Sequence, residues 1–122
     1  MYKINVISSF SGAHCLLGYR GACQNLHGHN WQVRVQLITE KTDEIGMALD
    51  YKVIKSKLEL LLNQFDHQYL NQLSWFKSQN PTSENIARVI YQEMTTVFEL
   101  ENIRVNEVEV WESSQTSIIY YE

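Results

Sequence analysis

Long apolar runs are missing from this 122-residue chain. No stretch approaches the roughly 18 residues that a membrane-spanning helix needs, so no membrane partner is expected. Positive charge is not in excess either: 10 Lys and Arg stand against 14 Asp and Glu, for a net charge of -4. A nucleic-acid binder would usually show a basic patch, so no nucleic-acid partner is expected. Cysteine is scarce, with only Cys15 and Cys23. The opening M-Y-K-I-N-V-I-S-S-F alternates and holds no signal-peptide core, which points to a reducing, cytoplasmic setting where thiols serve packing or chemistry rather than a disulfide. Low-complexity tracts, repeats of fixed period and linkers are also lacking. The length fits one domain, residues 1–122.

What is present is a high aromatic load, seven Tyr and three Trp, suited to a pocket or a subunit interface. Tyr2, Ile4, Val6 and Phe10 alternate with polar residues and predict a half-buried strand over 2–10, with Ser11-Gly12-Ala13 as a place to bend. Residues 15–26 show no period and read as a loop. Trp31, Val33, Val35 and Leu37 predict a second strand over 28–39. From Asp50, which is placed to cap it, Ile54, Leu58, Leu61, Leu62 and Phe65 predict an amphipathic helix of about sixteen residues, ended by Asp66-His67. Residues 68–80 read as loop with a short turn. Asn80-Pro81-Thr82-Ser83-Glu84 opens a second helix, whose apolar face is Ile86, Ile90, Met94, Val97 and Phe98. Residues 104–112 and 118–121 alternate again around a turn at 113–117. The order strand, strand, helix, helix, strand, strand predicts an α+β domain, a four-stranded antiparallel sheet with both helices on one face. Such a sheet has two edges to protect, so assembly is expected.

The chemistry-bearing residues gather around C-Q-N-L-H-G-H-N-W at 23–31. His27 and His29 enter a strand two residues apart, so their rings share a face. His14, which follows the preceding predicted strand, can join them. Three imidazoles with an open fourth position suit a catalytic Zn²⁺; the plain alternative is that His27 and His29 are polar turn residues. Cys23 is a fourth ligand closing a structural site, a free thiolate activated by the nearby cation, or an inert buried thiol. Cys15 reads as a packed residue. Asp66-His67 is a proton relay or a helix-end cap. Glu112, at the end of an apolar strand face, either grips an N–C–N group through paired hydrogen bonds or is a solvated strand end.

Six motifs fall in one order: F-S-G-A-H at 10–14, C-x3-H-G-H at 23–29, D-Y-x-x-I-K at 50–55, D-H-x-x-L-N at 66–71, N-P-T-S-E-N at 80–85 and V-W-E ending at Glu112. Together they resemble the 6-pyruvoyltetrahydropterin synthase family and its bacterial 6-carboxytetrahydropterin synthase branch in queuosine biosynthesis. The resemblance spans nearly the whole chain. It implies the tunnelling fold (T-fold), β-β-α-α-β-β, with sheets closed into a barrel in a homo-oligomer, commonly a hexamer, and sites at subunit interfaces. It implies a zinc-dependent lyase acting on 7,8-dihydroneopterin triphosphate, with His14, His27 and His29 on zinc and Cys23 as catalytic base. Asp66 and His67 would form the relay, reaching a neighbouring subunit's site. Glu112 would anchor the pterin ring with Thr82, Ser83 and Glu84 nearby. The three-residue gap between Cys23 and His27, with Leu26 before His27, is similar to the carboxy branch, which releases triphosphate and acetaldehyde. The alternatives are a pyruvoyl product or a non-catalytic zinc- or pterin-binding module. Gly12 departs from the usual alanine or serine, Ser113 from the usual threonine, and the loop at 15–22 is short.

Overall fold

The structure, a computed structural model, describes residues 1–99 and 102–122. Its strands are β1 (Tyr2–His14), β2 (His27–Thr39), β3 (Gln68–Tyr69), β4 (Ile103–Ser113) and β5 (Thr116–Tyr121), and its helices are α1 (Tyr51–Leu62) and α2 (Ser83–Val97). They form an α+β domain with one sheet in the order β3-β1-β2-β4-β5. All neighbours are antiparallel except β3, which runs parallel to β1 through Gly12↔Gln68 and Ala13↔Tyr69. The sheet thus has one strand more than the alternation predicts.

β1 and β2 pair without a break from Tyr2↔Thr39 to His14↔His27. Ile4, Val6 and Phe10 of β1 and Trp31, Val33, Val35 and Leu37 of β2 fill one face, under α1 and α2. Trp31 is fully buried; its ring stacks on Phe10 and its indole N–H donates to the Gly12 carbonyl. That answers the buried N–H, which would otherwise weaken the core. The opposite face is polar, with Arg34 held between Glu107 and Glu109 and reaching Asn5.

Three expected boundaries shift. Ser11-Gly12-Ala13 does not bend: β1 runs straight to His14, and the space a Gly12 side chain would take is closed by Leu70 and Phe10. α1 has 12 residues, not about sixteen, and turns carry the chain from Asn63 to His67. The last hairpin turn is tighter than 113–117, since Ser113 already pairs with Thr116. Asp50 caps α1 as expected, accepting from the Lys52 N–H, and of the two residues that could cap α2, Thr82 and Ser83, it is Thr82 that accepts from the Asn85 N–H.

Candidate active site

The unbroken β1–β2 register carries the apolar face past Phe10 and Trp31 to histidine. His14 stands opposite His27, and Gly12 opposite His29. Inward residues recur at every second position, so His14, His27 and His29 extend the row that begins in the core. β4 brings the fourth member. Its register with β5 slips between Trp111 and Ser113, leaving Glu112 outside the paired positions. Bulges of this kind re-aim side chains beside functional sites. One ligand atom from each of His14, His27, His29 and Glu112 lies within 4.8 Å of the others.

The second nitrogen of each ring shows what the first is for. His14 Nδ1 lies 2.7 Å from the Pro81 carbonyl, and His27 Nδ1 2.7 Å from the Asn25 carbonyl. A carbonyl only accepts, so both Nδ1 atoms carry the proton and both Nε2 atoms keep a lone pair. Backbone carbonyls holding the far nitrogen are a recurrent device for orienting metal-ligating histidines. Glu112 Oε1 lies 2.7 Å from His29 Nε2 and 3.4 Å from His14 Nε2. Even so, the buried Nε2 atoms of His14 and His29 make no hydrogen bond of acceptable geometry. Burial, first, holds the His29 pKa below the ordinary 6.5, with His14 and His27 adding to the effect and Glu112 opposing it. Imidazole nitrogens without partners gathered beside a carboxylate are a donor set that suits a divalent ion. The set could hold a metal ion, and Cys23 is not part of it.

Asp66 and His67 sit on the outer edge of β1. Asp66 Oδ1 accepts from the Ser11 N–H at 2.9 Å, and the His67 N–H donates back to the Ser11 carbonyl at 2.6 Å. Neighbouring residues seldom bond through their side chains, but these do: His67 Nδ1 lies 2.9 Å from Asp66 Oδ2. The left-handed backbone of His67, φ 56, allows it. The bond from Ser11, then the one to His67, pulls the Asp66 pKa below its usual value. A shallow groove of about 460 Å³ has His29 and His67 in its walls, with Gly12, Gly28, Asn30 and Tyr69. His67 and His29 therefore face the same space.

Cys23 is half-buried on a short helical turn, Ala22–Gln24, and hangs from the Leu16 N–H by its carbonyl. Thr82, Ser83 and Glu84 form the first turn of α2, with Glu84 exposed, and the Pro81 bond to His14 ties this helix end to the histidines. Sequence reasoning leaves out the Pro81 and Asn25 carbonyls and Tyr69. It names Asn71 and Asn80 only as motif letters, yet both grip the loop after His14. Their signal was their place inside D-H-x-x-L-N and N-P-T-S-E-N.

The family profile described as 6-pyruvoyl tetrahydropterin synthase matches residues 3–122, and the chain belongs to that family of enzymes. The 6-carboxy-5,6,7,8-tetrahydropterin synthase of Synechocystis sp. is 38% identical over 91 residues, covering 70% of this chain and 69% of that protein. The protein of the same name from Haemophilus influenzae is 27% identical, covering 100% of both chains. Among solved structures, the 6-pyruvoyl tetrahydropterin synthase of Caenorhabditis elegans matches with a TM-score of 0.89 at 27% identity, over 99% of this chain and 95% of that one. Among the described residues, no helix is long and apolar enough to cross a membrane.

Proposed function

We propose that this enzyme is a cytoplasmic, zinc-dependent 6-carboxy-5,6,7,8-tetrahydropterin synthase of queuosine biosynthesis. It would take 7,8-dihydroneopterin triphosphate and release triphosphate and acetaldehyde. The observation that carries the reading is the cluster of His14, His27, His29 and Glu112, in which the Nε2 atoms of His14 and His29 lack hydrogen bonds. The names of the Synechocystis and Haemophilus relatives support the carboxy product.

His14, His27 and His29 would hold zinc, which when bound supplies Lewis-acid polarisation of the substrate's side-chain hydroxyls. Cys23 stays outside the four-donor cluster, which favours a free thiol over a fourth ligand. It would move a proton at the carbon next to the pterin ring. Asp66 fixes the tautomer of His67 through Nδ1, so Nε2 would exchange the second proton. The His67 ring is 82% exposed, as suits a group reaching the site of a neighbouring subunit in a hexamer. Glu112 is about a third exposed and would turn its carboxylate to the N–C–N edge of the pterin, with Ser83, Glu84 and the capping Thr82 beside it.

Metal-loaded protein given dihydroneopterin triphosphate is expected to yield 6-carboxytetrahydropterin and acetaldehyde, read by mass spectrometry. No turnover with the metal loaded overturns the reading. The likeness to the nematode structure favours a second reading, a pyruvoyltetrahydropterin product, and the same spectrum decides between them. Cys23→Ala is expected to keep the zinc and lose nearly all turnover, leaving a small residual rate. Loss of zinc would instead make Cys23 a ligand, and retained turnover would remove it from the chemistry.

A further inference from the structure

The loop that carries Cys23 is held by two asparagine side chains acting as substitute strands. After His14 the backbone groups of residues 15–17 have no partner strand, yet they are answered in alternation. Cys15 donates its N–H to Asn71 Oδ1 at 3.0 Å, and its carbonyl accepts from Asn71 Nδ2 at 2.9 Å. Leu17 does the same with Asn80, at 3.0 Å and 2.8 Å. Leu16 donates the other way, to the Cys23 carbonyl at 2.9 Å. A carboxamide can do this because it carries a donor and an acceptor side by side, the pattern a strand residue presents.

Little else restrains the loop. Residues 17–22 are all exposed, and Gly18 and Gly21 have positive φ, at 85 and 152. Asn80 is itself fixed, because Asn85 Nδ2 donates to its carbonyl at 2.8 Å and Pro81 follows it onto His14. A continuous chain of bonds therefore runs from α2 through Asn80 to Leu17, and through the adjoining Leu16 to Cys23.

We propose that Asn80 is a positioning residue for Cys23, setting where the thiol stands over the substrate without contributing to metal binding. This rests on the catalytic role of Cys23 given above. Asn80→Asp keeps the acceptor for the Leu17 N–H but sets a carboxylate against the Leu17 carbonyl. Asn80→Ser, too short for either group and uncharged, is the second variant. Both are expected to keep full zinc content and to cut at Arg20 with trypsin at least about tenfold faster than wild type, as an exposed loop freed from its anchor should. Because a misplacement of about 1 Å can cost about 100-fold, kcat is expected to fall by 10- to 100-fold with KM little changed. In a Cys23→Ala background, Asn80→Asp should lower the residual rate no further, since a residue acting only through the thiol has nothing left to act on.

Unchanged cleavage at Arg20, an unchanged kcat in both variants, zinc loss in step with activity, or additive loss in the double variant would each overturn the proposal. Failure of the wild-type, zinc-loaded enzyme to turn over any dihydroneopterin triphosphate is a separate result. It removes the functional reading and the role of Asn80 together, and is seen before any variant is made.

Discussion

At Glu112 a single carboxylate stands between two roles. It is close enough to His29 and His14 to serve as a fourth metal donor, and exposed enough to meet a pterin. Glu112→Gln separates them. If the three imidazoles hold the ion, the variant should keep its zinc and lose substrate affinity, because the amide puts a donor NH2 where the carboxylate offers its second acceptor oxygen. Zinc lost on dialysis would make Glu112 a ligand. His29 gives a pH signature in the metal-free protein. Its folded pKa lies below 6.5, so over the window between the two values the unfolded chain binds more protons. Its contribution to stability therefore rises with pH through that window and levels off above about 6.5. Urea midpoints measured from pH 5 to 7.5 on wild type and His29→Asn should show that rise only in wild type. A flat wild-type profile would contradict it. At this scale the histidines were legible, because alternation places i and i+2 on one face. The pairing of Asp66 with His67 was legible only as one of two alternatives, because the positive φ at His67 leaves no trace in composition.

Two helix caps of similar chemistry should behave differently as elements of the fold. Thr82→Ala and Asp50→Ala each remove a side chain that accepts from the first turn, costing about 1 kcal/mol of stability. Only α2 leads into the Pro81 carbonyl on His14. Thr82→Ala should therefore also weaken zinc binding, measured by competition with a chromophoric chelator, whereas Asp50→Ala should leave it unchanged. Equal zinc affinities in the two variants would disconnect α2 from the site. The elements themselves were readable wherever an apolar period was long enough, as in β2 and α2. β3 was not, since a two-residue strand has no period and exists through its pairing with Gly12 and Ala13. Ser11-Gly12-Ala13 reads as a bend for the same reason: small residues say nothing of the Leu70 that packs over them.

For the molecule as a whole, the four donors come from three strands, β1, β2 and β4. An ion held by them would tie the end of the sheet together and would bind the folded state only. Zinc at a hundredfold excess over its Kd should add about 2.7 kcal/mol, a rise in Tm of roughly 10 °C that a chelator reverses. An unchanged Tm on adding zinc would deny the cluster that role. Among the described residues, the sheet also leaves most of the outer edge of β1 unpaired, since β3 covers only Gly12 and Ala13. The antiparallel core was legible in the pattern, but the partner of this edge is not written in one chain's periodicity.

The thirteen paired positions of β1 and β2 make the spacing of His14, His27 and His29 a discrete quantity. A strand can slip by a whole residue, which turns every side chain over, but not by a fraction of one. Trimming the distant core at Val6 or Val35 should therefore cost stability while each surviving folded molecule keeps its full affinity for the ion. Zinc binding across such a series would fall in occupied fraction and not in strength, as a count of intact copies rather than a graded loosening of the site.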